Sequence, residues 1–323
     1  MGRNVWHDYE REWAKDPDSR PKYVRAASIR RRERQAEEAM QFVETGDAAE
    51  GGFQPSFHAS RHEHAWILTY LGPFYDDNLI LDVLRQVKGG KEATVYCCAA
   101  HPATGTGLIA AKVYRPRMFR NLRNDSIYRE GRAVLDEQGK VTHRSREARA
   151  LAKKTRFGQD LRHNTWVTTE FETLRRLHTA GADVPRPYAA SENAILMDYL
   201  GTERSPAPIL QHVTLDPEEA RPLFDRLLWN VELMFAAGCV HGDLSAHNIL
   251  YWEGRALLID FPQAVDPLVN PHARDLLARD VTRVCQYFTR YGIATDPAAI
   301  TARLWRRYVQ ADHDAAPLMP PGA

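Results

Sequence analysis

Residues 240–250 read VHGDLSAHNIL, and residues 257–265 read LLIDFPQAV. Asp243, Asn248 five positions on, and Asp260 at the end of an apolar run are the residue types that phosphoryl transfer needs. A γ-phosphate and its Mg²⁺ take hard oxygen ligands, which Asn248 and Asp260 can supply. The attacking hydroxyl needs an acceptor for its proton, which Asp243 can supply. The bland alternative is an Asp-Asn loop that merely caps a helix end. Such a cap would not require an apolar strand ending in Asp at this separation.

These three residues have to be positioned by what flanks them. Asp216-Pro217-Glu218-Glu219 is a helix start, with an N-cap Asp, Pro at the first helical position and Glu three residues after the cap. The helix that follows, 217–237, places Leu223, Leu227, Val231 and Met234 on one face and stops at Gly238. NILYW then begins a strand, Glu253-Gly254 turns it, and RALLIDF returns, which brings Asp260 back beside Asn248. Upstream, ATVYCCAA and LIAAKVYR form a hairpin around the turn HPATGTG. Residues 76–87 read as a short helix or strand. Lys112 interrupts the apolar strand LIAAKVYR, a patterning error unless it points into a cleft with a partner. With period 2, Ala110 shares its face and leaves room for a flat ring. Thr165–His178 has helical spacing, with Trp166, Phe171, Leu174 and Leu177 as apolar members. That helix offers Glu170 as partner for Lys112, with Glu172 as the rival, because spacing alone leaves the helix rotation open. AILMDYLG is a further strand, running out into Gly201.

The loop ahead of the first hairpin reads KGGKEATVY (88–96) where common protein kinases carry G-x-G-x-x-G. Together with HGDLSAHNIL, IDFPQAV and RSPAPIL, it resembles the RIO family of atypical serine/threonine protein kinases, over about Asn78 to Tyr291. The resemblance implies an α+β, two-lobed protein-kinase-like fold. It would have a small β-rich N-lobe and a mainly helical C-lobe, without activation loop or peptide-docking subdomain. It implies ATP and Mg²⁺ (or Mn²⁺) as cofactors, with Gly90, Lys91, Glu92 and Ala93 over the phosphates and Val95 over the base. It further implies Lys112 held by Glu170, Met197 as gatekeeper, and the Asp198 carbonyl and Leu200 N–H on adenine. Asp243 would be the catalytic aspartate, and Asn248 and Asp260 the metal ligands, with a phospho-aspartate on Asp260 in an ATPase-like cycle. Arg279-Asp280 would brace the catalytic loop from behind. Position 242 is Gly where many regulated kinases have Arg, so no cation is expected beside Asp243 to read a phosphorylated loop.

The remaining readings concern organisation and partners. The 323 residues, 44% hydrophobic with a net charge of +1, suit one two-lobed globular protein with no overall field. Charge is nonetheless uneven: residues 115–163 hold 14 Lys/Arg against 6 Asp/Glu, a local balance of +8. They read as a flexible basic insertion or a loosely packed helical excursion. The expected layout is a polar, helical extension (1–65), an N-lobe (66–200), a C-lobe (201–312) and a disordered tail (313–323). Segments 25–34 and 115–163 are candidate contacts for RNA phosphates or a ribosomal partner. The other expected partners are ATP and an unidentified protein substrate, this chain itself included. Cys97, Cys98, Cys239 and Cys285 lack CxxC spacing and read as buried thiols of a reducing compartment. No apolar signal core opens the chain and no run approaches the ~20 apolar residues of a span, so a cytoplasmic protein without membrane contact is expected. Two other functions fit the HGD motif: a small-molecule (aminoglycoside- or choline-type) phosphotransferase, and an ATP-switched RNA- or ribosome-binding scaffold. Only about 60 residues follow Asp260, a short stretch for the acceptor wall of the first.

Overall fold

The computed structural model describes residues 53–90, 93–114, 156–191 and 193–309. The chain divides into two compact units, Met1–Glu50 and Gly51–Ala323, and all described residues lie in the second. Segment 25–34, most of the basic insertion and the 313–323 tail lie outside the described residues.

A helix, α1 (Arg61–Asp76), precedes a five-stranded antiparallel sheet in the order β1-β2-β3-β5-β4. The strands are β1 (Ile80–Gly89), β2 (Ala93–Ala100), β3 (Leu108–Tyr114), β4 (Pro187–Ala190) and β5 (Ala194–Asp198), with helix α2 (Arg156–Thr179) between β3 and β4. Period-2 alternation assigns each strand residue to one of two cores. Ile109, Ala111 and Val113 of β3, with Ala194 and Leu196 of β5, pack with Ile67, Leu71 and Phe74 of α1. Ala110 and Tyr114, with Ile195 and Met197, face the other way, against Val167, Leu174 and Leu177 of α2 and the helical lobe. A sheet buried on both faces explains why LIAAKVY reads as an almost unbroken apolar run. Its one charged member, Lys112, is only 8% exposed.

The helical lobe comprises α3 (Pro217–Ala236), the hairpin β6 (Ile249–Trp252) and β7 (Arg255–Leu258), α4 (Ala273–Thr289) and α5 (Pro297–Tyr308). The expected start of α3 is present: the Glu219 carboxylate accepts the Asp216 N–H at 3.2 Å. All four expected core residues of α3 are buried, and Phe224 meets Phe288 of α4 edge-on at 5.2 Å. The β6–β7 turn carries Glu253 and Gly254 at φ 49° and 77°, as a two-residue hairpin turn of matching twist requires. Its ladder pairs Ile249 with Leu258. From β7 the chain reaches α4 through residues 259–272. This segment is stitched to the HGD loop by reciprocal bonds between Val240 and Val265, both 2.9 Å. Among the described residues there is no extended activation segment and no added subdomain.

Several expectations shift. The ambiguous stretch 76–87 resolves as the end of α1 and the start of β1. Helix α1 crosses the expected boundary at residue 65, so the apolar layer over the sheet begins before it. Helix α2 begins at Arg156 rather than Thr165, so the end of the stretch read as a flexible insertion or a helical excursion is helical. Residues 156–164 carry too few apolar side chains for a period to register, yet their backbone is helical. The short edge strand β4, headed by Pro187, gave no signal; four residues are too few for alternation, and Pro is tolerated at such an edge. All four cysteines are free and buried. No helix among the described residues is long and apolar enough to cross a membrane.

Candidate active site

Lys112 is the centre of the site. Its Nζ lies 2.6 Å from Glu170 Oε1 and 2.8 Å from Asp260 Oδ1, so one ammonium ties the sheet, α2 and the β7 end together. The choice left open by spacing is settled by helix rotation. Glu170 points inward and is 1% exposed, while Glu172 faces solvent and pairs with Arg175 at 2.5 Å. Burial alone would push the Lys112 ammonium down, but Asp260 and Glu170 outweigh it and hold it above its usual value. Burial raises Glu170, with Lys112 pulling the other way; Lys112 holds Asp260 below the usual carboxylate range. Glu170 Oε1 also accepts the Phe261 N–H at 3.4 Å. Asp260 adopts φ 72°, a left-handed region that Asp and Asn enter more readily than other residues with a Cβ.

The HGD loop is held from two sides. Asp280 of α4, 2% exposed, accepts the Gly242 N–H at 2.8 Å and the Leu244 N–H at 3.0 Å. Arg279 donates to the Gly242 carbonyl. The expected brace is therefore present in the geometry. Gly242 itself takes φ 79°, where a side chain would be strained. Burial pushes the Asp280 carboxyl up to about 7, against the pull of the two backbone N–H groups. On the other side, His241 Nε2 lies 3.1 Å from the Ile259 carbonyl and Nδ1 3.3 Å from the Asp243 N–H. That pair requires a neutral ring with its proton on Nε2.

Burial lowers the His241 pKa from the ordinary 6.5. The folded protein then binds fewer protons than the unfolded chain below that value. The stability His241 contributes is complete above the unfolded pKa and is lost as pH falls through the folded one. The Tm advantage of wild type over His241→Gln is expected to shrink as pH falls below the ordinary histidine value of 6.5, as read by thermal melts of both proteins on either side of it.

Asp243 and Asn248 meet directly. Asn248 Nδ2 donates to the Asp243 carbonyl at 2.8 Å and to its Oδ2 at 3.3 Å. The amide nitrogen being so committed, the amide oxygen is the end left for a cation. The Ile259 N–H donates to the Asn248 carbonyl at 3.0 Å, which sets Asn248 beside the backbone that leads into Asp260. Contrary to expectation, a cation does stand beside Asp243: Arg283 Nη1 is 2.8 Å from its Oδ1. Arg283 comes from α4, forty residues further on, and position 242 carries no information about it. Its only sequence signal is its spacing of three from Asp280, which places both toward one side of the helix.

The nucleotide-side residues are brought together by register. Val95 pairs with Lys112, and Ala110 with Met197. Gly90 N–H closes on the Ala93 carbonyl at 2.9 Å; Lys91 and Glu92 lie outside the described residues. The Asp198 side chain is occupied by Tyr188 Oη (2.7 Å) and the Arg186 N–H (3.0 Å), and the Leu200 carbonyl accepts the Ala207 N–H at 2.9 Å. Arg85 on β1, not singled out by pattern, donates to the Glu203 carbonyl at 2.7 Å and to Tyr199, tying the sheet to the connection between lobes.

A small antiparallel lobe with a buried Lys–Glu pair, over a helical lobe carrying the HGD loop and an Asp-ended hairpin, defines a protein-kinase-like fold. A solved structure of a Rio2 kinase–ADP/Mg²⁺–phosphoaspartate complex from Chaetomium thermophilum shares that fold. It matches at TM-score 0.53 and 17% identity, over 86% of this chain and 91% of that one. The RIO1 family description, RIO domain, matches residues 121–300, and the chain belongs to the RIO family. It is 36% identical over 135 residues to a RIO-type serine/threonine-protein kinase Rio1 of Thermoplasma acidophilum, covering 42% of this chain and 69% of that protein. With the serine/threonine-protein kinase RIO1 of Homo sapiens it shares 29% over 220 residues, 67% of this chain but 35% of the human protein. The chain thus spans only about a third of the length of that longer relative.

Proposed function

We propose that this chain is an ATP- and Mg²⁺-dependent serine/threonine protein kinase of the RIO kind, able to act as an ATPase. The observation that carries the reading is the Lys112–Glu170–Asp260 cluster set against the Asp243–Asn248 pair. Lys112 would hold the α/β-phosphates, and Asn248 Oδ1 and Asp260 would hold Mg²⁺. Two protein oxygens suffice, because Mg²⁺ keeps waters and takes the rest of its shell from phosphates. Held by these residues, the ion would supply positive charge against the phosphates. Asp243 would accept the proton of the attacking hydroxyl, held in place by Asn248 and Arg283. Ala110 and Val95 would cover one face of the base, Met197 would be the gatekeeper on the same face of the sheet, and the backbone of Asp198 and Leu200 would bind its edge. A role for segments 25–34 and 115–163 toward RNA belongs to the same proposal and is checked by the salt dependence of RNA binding.

The test is incubation of the full chain with γ-labelled ATP and Mg²⁺. Acid-stable label on Ser or Thr supports the kinase, and hydroxylamine-labile label supports an acyl-phosphate cycle on Asp260. Label passing only to aminoglycosides or amino alcohols would overturn the reading in favour of a small-molecule phosphotransferase. Neither hydrolysis nor transfer would favour the scaffold. On this reading Asp280→Asn places an amide NH₂ against a backbone N–H and leaves that donor unpaired. It is expected to cost about 1–3 kcal/mol of stability and to lower turnover by about 10²-fold through a displaced HGD loop, measured by denaturation and by the rate of label transfer.

A further inference from the structure

A cavity of about 540 Å³ is lined by Asp243 and Asn248. Its wall includes Gln211, His247, Arg283 and Gln286. Apart from Asp243 itself, none of the lining residues is acidic. The rest of the polar wall is one fixed cation, three carboxamides, two hydroxyls and an imidazole, whose ring stands edge-on to His212 at 6.4 Å.

Arg283 reaches Asp243 through a single nitrogen, Nη1, at 2.8 Å, with side-chain exposures of 38% and 42%. This is an end-on contact, not the two-pronged fork that would occupy both edges of the guanidinium. A guanidinium has five donors in a fixed plane, so donors remain for a second anion at the cavity. Lys112 does the equivalent across the site, bridging two carboxylates. Resting on the protein-kinase reading above, we propose that this cavity is the acceptor site and selects hydroxyls flanked by an anionic side chain. The acceptor would be a Ser or Thr with a carboxylate or phosphate on a neighbouring residue. Arg283 would be the specificity-determining residue, bridging that anion and Asp243. A lysine in the same position of the acceptor would instead face Arg283 at short range in a half-exposed site, where like charges repel.

Four peptides test this, identical except that the residue beside a single Ser is Asp, phosphoserine, Gln or Lys. Transfer of label from ATP is measured with wild type, Arg283→Gln, Arg283→Glu and Gln211→Glu. Wild type is expected to favour the Asp and phosphoserine peptides over the Lys peptide by about 10–100-fold in kcat/KM. Arg283→Gln should flatten the preference through KM, and Arg283→Glu should turn it toward Lys. Gln211→Glu, which leaves Arg283 in place, should shift it the same way, so the inference survives a misfolded Arg283→Glu protein. A wild type indifferent to charge, or the wild-type preference kept in Arg283→Gln whatever the fall in kcat, would overturn the inference and leave Arg283 as a positioning residue for Asp243. Transfer by wild type to none of the peptides would overturn this inference, and absence of label on Ser or Thr of the chain itself as well would remove the kinase reading.

Discussion

Lys112→Met is expected to abolish phosphoryl transfer and, at the same time, to lower stability by about 3–5 kcal/mol. Met fills most of the space of the lysine stem, so packing changes little. What changes is charge. Glu170 is 1% exposed and loses its cation at 2.6 Å, which strands a carboxylate in the core; Asp260, about half exposed, can turn to water. Burial already raises the Glu170 pKa in the presence of Lys112. Without it Glu170 has to take up a proton to stay buried. A loss of that size lowers Tm by roughly 10 °C in a domain of this size, visible in a thermal melt.

The same variant separates stability from chemistry when paired with a second substitution. Removing both charges, in Lys112→Met with Glu170→Leu, replaces a buried ion pair by apolar contact, often neutral for stability. The double variant is expected to recover most of the lost Tm and none of the phosphoryl transfer. Recovery of transfer would show that Lys112 has no part in holding phosphates. A double variant as unstable as the single one would mean that packing around the lysine stem, not the stranded Glu170, sets the cost.

How much of this site could be read in advance depended on the range over which each residue finds its partner. Lys112 was legible because one charge in a strand buried on both faces contradicts its surroundings. Asp243, Asn248 and Asp260 were legible because a two-residue hairpin turn fixes where Asp260 returns. Glu170 against Glu172 was not, since two residues apart on a helix is a rotation of some 200° and the apolar pattern of α2 is weak. Arg283 escaped because its partner lies forty residues away and the contact crosses from α4 to a loop. Expecting no cation beside Asp243 on the strength of Gly242 confused neighbours in sequence with neighbours in space. The α2 start and β4 were hidden for different reasons, one with too few apolar residues to set a period and the other too short for one.

Asp243→Asn and Asp260→Asn are expected to fail in different ways, though each changes one oxygen to a nitrogen. Asp243→Asn keeps the size and, through its remaining oxygen, the Asn248 contact, but turns an amide NH₂ toward Arg283 and removes the proton acceptor. Transfer should fall by about 10²–10⁴-fold, the usual contribution of a general base, with Mg²⁺–ADP affinity held close to wild type by calorimetry. Asp260→Asn keeps the backbone, because Asn tolerates the positive φ of 72° that position 260 adopts. It removes a negative oxygen from the proposed metal site and one of two carboxylates on Lys112. Nucleotide affinity should then lose most of its Mg²⁺ dependence, and added Mn²⁺, which binds N/O ligands more tightly than Mg²⁺, should restore part of the transfer. Glu170 still neutralises Lys112, so the Tm of Asp260→Asn should lie far closer to wild type than that of Lys112→Met. If Asp260→Asn instead bound Mg²⁺–ADP like wild type and lost transfer only, Asp260 would act on the γ-phosphate itself and not through the metal. A hydroxylamine-labile phosphoenzyme in wild type, absent from Asp260→Asn but retained in Asp243→Asn, is the result that would assign it that role.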